Sequence, residues 1–250
     1  MNPFPKKFQR GSLIEEYDKQ WKNFIEEVKN IPTNSFERYF QSLYYLLWKY
    51  AWCIPSAAYK DEPDISLFDH LKTTAAITAC LCALKDEKEK EFMLVGGDIS
   101  GIQMFIYSVT SEHALKGLRG RSLYLQLLSE TVAKRILNSF DLPLTNLLYS
   151  GGGHFSILLP ALSDTEERLK EIEKEINELL IDYHTGDLAI VIAYHPFQQE
   201  EFKQKEFSKV EAGLREKMRL ESASFEEIAK VKGIGKRLAE SIYNTLHGSV

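Results

Sequence analysis

The chain has 250 residues, with 31 Lys and Arg against 36 Asp and Glu and a formal net charge of −5. That balance argues against nonspecific nucleic-acid binding by the whole surface, so any such contact must come from a local patch or a partner subunit. Three cysteines (Cys53, Cys80 and Cys82) without a CxxC pair argue against a disulfide framework and against a structural zinc site. Residues 1–12 are polar and basic, and the longest apolar run, Ile77–Leu84, is far too short to span a bilayer. A cytoplasmic protein that makes no membrane contact is expected.

Residues 1–90 read as a helical domain. Leu13–Lys29 and Phe36–Trp52 carry apolar residues at three- and four-residue spacing, the period of an amphipathic helix. Pro55 and Pro63 bracket a loop, and Asp64-Ile-Ser-Leu-Phe-Asp-His70 leads into an apolar helix, Leu71–Leu84, which Asp69 is placed to cap. Cys80 and Cys82 read as small buried hydrophobes in it. The run Lys85–Glu91 is a solvated connector.

From residue 91 to 205 the pattern is more regular. Phe92–Asp98 is a short apolar strand. Arg121–Phe140 is an amphipathic helix, with Leu123, Leu127, Val132 and Ile136 near one face. Asn146–Ser150 and His154–Leu159 are strands joined by Gly151-Gly152-Gly153. Ser163-Asp-Thr-Glu166 is a capping box opening a helix to Tyr183, with Leu169, Ile172, Ile176, Leu179 and Leu180 as its buried stripe; Leu188–Tyr194 is the fourth strand. Strand, helix, strand, strand, helix, strand is the ferredoxin-like βαββαβ order, which polymerase palms use and which many other domains share. Residues 206–221 read as a charged helical connector. Residues 222–250 read as a helix-hairpin-helix, opened by the capping box Ser224-Phe-Glu-Glu227 and turned at Val231-Lys-Gly-Ile-Gly-Lys-Arg237. The fold class expected is α+β: N-terminal helical domain, ferredoxin-like palm, C-terminal helix-hairpin-helix.

Three stretches carry candidate chemistry. Asp98, with Ser100 behind it, sits at the end of the first strand, where a palm places an acid. The hairpin of a catalytic palm supplies further acids, and two Mg²⁺ ions bridge them to a triphosphate. Here the hairpin carries Gly153 and His154 instead, so Asp98 alone is a weak metal ligand, with a structural role at the Ser100–Gly101 turn as the competing reading. Gly151, Gly152 and Gly153 cost folding entropy, which points to close approach of a ligand or a partner backbone, against the plainer reading of a tight turn. Arg119 and Arg121 precede the following helix and, with its N-terminus, are placed to hold phosphate, or they form a plain basic loop. At the far end Lys232, Gly233, Ile234, Gly235, Lys236 and Arg237 put backbone N–H groups and base charge where a nucleic-acid phosphate would lie; a packing module is the alternative. Asp69-His70 is not the His-Asp order of a metal phosphohydrolase, and no histidine set has metal-ligand spacing.

Trp52-Cys-Ile-Pro-Ser56, the stretch from Pro63 to Ala76, Gly97-Asp-Ile-Ser-Gly-Ile-Gln103, Leu115-Lys-Gly-Leu-Arg-Gly-Arg-Ser122 and Tyr149-Ser-Gly-Gly-Gly-His-Phe155 together resemble the large, polymerase-like subunit of type III CRISPR effector complexes, subtype III-A in particular. The family has an N-terminal HD nuclease domain that cuts single-stranded DNA, two palms, a zinc-bearing insert and a helical tail. Its second palm, with a Gly-Gly-Asp-Asp hairpin, makes cyclic oligoadenylate from ATP. The resemblance implies that Asp98, Ser100 and Gly151–Gly153 belong to the first palm and help bind ATP, with Mg²⁺, across the interface with a second palm. It implies other effector subunits and CRISPR RNA as partners. This chain lacks the HD dyad, the zinc cysteines and the Gly-Gly-Asp-Asp hairpin, and its C-terminal motif is similar to that of excision-repair nucleases. The expectation is a truncated homologue without a complete active site, whose palm binds nucleotide or a second palm in trans. The alternative is a noncatalytic DNA-binding adaptor acting through Lys232–Arg237.

Overall fold

A computed structural model describes residues 10–56, 65–87, 91–108 and 114–230 of the chain. Two compact units divide it, Met1–Thr74 and Ala75–Val250. The boundary falls earlier than the expected residue 90, because Ala76 and Cys80 are buried among residues of the second unit's sheet.

In the first unit α1 (Arg10–Lys29) and α2 (Phe36–Ala51) form a helical pair. Ser35 caps α2, its Oγ accepting from the Arg38 N–H. Glu27 ties the two helices, receiving Lys49 Nζ at 2.7 Å and the Tyr50 hydroxyl at 2.6 Å. Residues 54–56 pair with 65–67 through Ser56 N–H to Ile65 O and Leu67 N–H to Ile54 O, which closes the predicted loop. Pro63 lies outside the described residues. Helix α3 (Leu67–Ala83) starts four residues before the predicted Leu71. Ser66 caps it rather than Asp69: the Ser66 Oγ accepts the Asp69 N–H at 2.9 Å and donates to the Asp69 carboxylate at 2.7 Å.

The second unit is built on four strands, β1 (Glu91–Ser100), β2 (Leu147–Gly151), β3 (His154–Pro160) and β4 (Ala189–Gln198), all antiparallel in the order β2-β3-β1-β4. Helices α4 (Ile102–Tyr107) and α5 (Ala114–Ser139) lie between β1 and β2, and α6 (Thr165–His184) between β3 and β4. Alternation along β1 splits the core, since successive strand residues point to opposite faces. Met93, Val95 and Ile99 join α5 and α6 on one face, whereas Phe92 and Leu94 join Cys80, Val210 and Leu214 on the other. That second face is covered by α7 (Gln204–Lys230), so the predicted connector is a structural layer of the sheet domain. Helix α7 is continuous across Ser224, where a separate helix start is predicted. Lys232, Gly233, Ile234, Gly235, Lys236 and Arg237 lie outside the described residues.

Several local expectations are corrected. Leu123 and Leu127 are exposed; the buried stripe of α5 is Leu125, Ser129, Val132, Ala133 and Ile136. Leu179 is likewise exposed on α6. Ser163 does not cap α6, whose N-cap is Asp164, the ion-pair partner of Arg168. Cys80 is buried but Cys82 is exposed, because residues two apart on a helix face different ways.

Two polar arrangements fix the sheet's surroundings. Asn146, fully buried just before β2, donates its amide to Ala76 O at 3.2 Å, Leu158 O at 2.8 Å and the Cys80 sulfur at 3.3 Å. Burial pushes the Cys80 thiol up to about 12. The outer margin of β4 is occupied by side chains. Asn177 bonds both the N–H and the C=O of Ile190 at 2.8 and 2.9 Å, Glu173 accepts the Ile192 N–H at 2.9 Å, and Lys217 donates to Tyr194 O at 3.0 Å.

Candidate functional site

The turn between β2 and β3 is a two-residue hairpin, since Gly151 pairs directly with His154. Gly152 and Gly153 have φ of +64° and +88°. Such a turn needs positive φ at both central positions, so the tight-turn reading accounts for two of the three glycines. A Cβ on Gly153 would also stand 2.2 Å from the Ile102 side chain. The tip of the hairpin is thereby held against the start of α4, and Ile99 N–H bonds to Gly153 O at 3.0 Å.

The register of β3 against β1 places His154 opposite Asp98 on the neighbouring strand. Their side chains meet, His154 Nδ1 to Asp98 Oδ1 at 2.9 Å. The hydrogen bond to the Asp98 carboxylate and its charge raise the pKa of the half-exposed imidazole, against a smaller opposing effect of burial. Both residues line a groove of about 820 Å³ between the sheet and α7, a volume suited to a small organic ligand. Its floor is Leu94 and Gly96 of β1, Leu148 and Tyr149 of β2, and Ser156 of β3. Helix α7 presents Phe207, Leu214 and Met218 to it, with Glu211, Arg215 and Arg219. Those positions recur at three- and four-residue spacing and so lie along one side of the helix. Tyr149 is largely exposed.

Of the described charged residues singled out from sequence, Asp98 alone lines the groove. Ser100 is buried at the end of β1, paired in register with Ala189. Arg119 and Arg121 do not precede a helix: α5 begins at Ala114 and contains both. Arg121 is committed to the end of α4, donating to Phe105 O and to Ser108 Oγ with its guanidinium over the Phe105 ring. Arg119 is exposed on α5, outside the groove's lining. The arginines that do reach it, Arg215 and Arg219, come from the stretch read as a connector. His154 is the other residue missed; it comes to Asp98 through the register of β3 against β1, which no local spacing signals.

Asp98 does not make a magnesium site by itself. Mg²⁺ demands near-octahedral oxygen coordination. Here the groove's two carboxylates, Asp98 and Glu211, come from the sheet and from α7, a ring nitrogen already sits on Asp98, and no cluster of three or more His, Cys, Asp or Glu occurs among the described residues. In Asp98→Asn the imidazole loses its anionic partner. The pKa of His154, followed by NMR, is expected to fall from its raised position toward the ordinary histidine range; an unchanged titration would mean that the pair does not form in solution.

Residues 91–232 match the family profile of Csm1 subunit domain B. The chain is 36% identical over 228 residues to the CRISPR system single-strand-specific deoxyribonuclease Cas10/Csm1 (subtype III-A) of Methanocaldococcus jannaschii, covering 77% of this chain and 28% of that protein. It is 36% identical over 170 residues to the protein of the same description from Enterococcus italicus, covering 59% and 22%. Among solved structures, the Csm1–Csm4 subcomplex of the type III-A CRISPR-Csm interference complex superposes with a TM-score of 0.72 at 32% identity, over 93% of this chain and 33% of that one. Csm1 of T. onnurineus gives 0.72 at 29%, over 84% and 30%. The chain therefore spans between about a fifth and a third of its relatives' length. No described helix is long and apolar enough to cross a membrane.

Proposed function

This chain belongs to the Csm1 family, and from that footing we propose that it serves type III-A CRISPR antiviral defence as a nucleotide-binding palm lacking a complete catalytic site. The antiparallel order β2-β3-β1-β4 with helices between β1 and β2 and between β3 and β4 supports reading it as a ferredoxin-like palm. The observation that carries the reading is the groove at the end of β1. It is mostly apolar, of nucleotide size, with two carboxylates, an imidazole and two arginines at its border. Solved relatives of the same fold include Csm1–Csm4 cassettes in complex with AMPPNP and with pppApApA. ATP is the ligand proposed for this chain, and a Csm4-like subunit, a second palm in trans and CRISPR RNA are the proposed partners, in the cytoplasm. The acids missing from the hairpin at Gly153 and His154 would come from that second palm.

The test is saturable ATP binding by the purified chain, measured by calorimetry. Binding is expected for the natural protein, and a loss of about tenfold or more for Ser156→Trp, which fills the groove floor. No saturation up to about 1 mM ATP, the upper end of ordinary enzyme substrate constants, would overturn the reading. The DNA-adaptor alternative predicts salt-sensitive DNA binding that Gly233→Val with Gly235→Val abolishes and Ser156→Trp leaves intact.

A further inference from the structure

We infer that Asp98 and His154 grip the nucleoside end of the ligand by hydrogen bonds, with no divalent cation between them, and that the phosphates lie along α7. The inference rests on the groove being a nucleotide site and assigns which end of the nucleotide goes where.

The charges are arranged for it. Asp98 and His154 neutralise each other across 2.9 Å when the imidazole is protonated, so the strand end offers a phosphate little net attraction. The other positive groups are on α7. Arg215 lines the groove, and Arg219 lines it while forking onto Glu216 at 2.8 and 3.1 Å, against the single carboxylate that α7 brings to the lining, Glu211. A guanidinium is the side chain suited to a phosphate's geometry. The strand end instead offers the pattern a ribose needs. With Nδ1 held by the carboxylate, the ring's Nε2 is the nitrogen that meets a ligand, and a hydroxyl satisfies it whether it donates or accepts. Beside it the apolar floor of Leu94 and Leu148, with Met218 of α7 and the exposed ring of Tyr149, suits the face of a base.

A Mg²⁺–triphosphate in the same place would have to expel the imidazole from the carboxylate and then find its remaining ligands on the nucleotide and in water. A hydroxyl displaces nothing.

The experiment uses the whole chain and four probes in competition: ATP with Mg²⁺, ATP with EDTA, adenosine, and inorganic tripolyphosphate. Exchanging Mg²⁺ for EDTA is expected to change ATP affinity by less than about threefold. Adenosine competes with ATP at lower concentration than tripolyphosphate does. His154→Ala weakens adenosine and ATP alike by about tenfold, the worth of one hydrogen bond to a charged or strongly polar group. His154→Gln, which still donates to Asp98, recovers part of that loss and controls for folding. Arg215→Ala weakens ATP and spares adenosine. Loss of ATP binding in EDTA, or competition by tripolyphosphate without competition by adenosine, overturns this orientation while leaving the groove a nucleotide site. Failure of both ATP and adenosine to bind in any condition overturns the site and the orientation together.

Discussion

Gly101→Val is expected to destabilise the protein by about 2–5 kcal/mol, the sum of a left-handed backbone penalty and an overpacking penalty. Gly101 joins β1 to α4 with φ +84°, a conformation that costs a residue with a Cβ about 1–2 kcal/mol. Space is the second obstacle. A Cβ there would stand 2.0 Å from the carbonyl oxygen of Asp187, and a backbone atom cannot swing aside as a side-chain tip does. Asp187 leads into β4, whose Ala189 pairs with Ser100, so relief requires parting the end of β1 from the edge strand β4. Asp98 lies three residues before the bend, and its alignment with His154 depends on the same strand end. Gly152→Ala is the matched control: φ is +64° but nothing lies within 4 Å of the added carbon, so the cost is the backbone penalty alone, about 1 kcal/mol. Urea denaturation of the two variants measures both. Equal losses would show that the Asp187 contact does not constrain the folded chain.

The second large effect concerns Glu173. Burial of its carboxyl against β4 pushes the pKa from 4.5 up to about 7, with Glu221 adding to the rise while the Ile192 N–H and Lys170 oppose it. Because the folded chain holds this proton more tightly than the unfolded chain, the group costs nothing below pH 4.5. Its penalty grows as pH rises from 4.5 and is complete above about 7. A gap of that size corresponds to about 3 kcal/mol. Glu173→Gln retains an oxygen for the Ile192 N–H and removes the charge. The variant should therefore match the natural protein at pH 4 and exceed its stability by about 2–3 kcal/mol at pH 8. Denaturation series at the two pH values give the difference directly, and a gap that does not change with pH would mean the carboxyl is well hydrated in the folded state.

Periodicity carried the sequence reading where packing is local. Leu169, Ile172 and Ile176 announce α6 and its buried side, and the apolar run from Phe92 announces β1, which the structure buries on both faces. It failed where charge hides the pattern. In α7 the Lys and Glu residues are the visible feature, yet Phe207, Leu214 and Met218 recur among them at helical intervals and face the sheet. The start of α5 was hidden differently. Gly117 and Gly120 read as loop residues, but Arg121 reaches across to Phe105 and Ser108, a contact that no spacing within the helix reveals. At the site, Asp98 was legible as an acid at a strand end. Its partner was not, because the meeting of Asp98 with His154 depends on how β3 registers against β1, fifty-odd residues away along the chain.

The side chains laid along β4 have a consequence for how this sheet associates. Asn177, Glu173 and Lys217 already use the hydrogen bonds that an added strand would need at Ile190, Ile192 and Tyr194. Endless stacking of sheets into a fibre requires two open rims on every subunit. With one rim sealed, such a chain of molecules terminates at its first β4, and concentrated protein is protected from polymerising by that route without any charge repulsion being required.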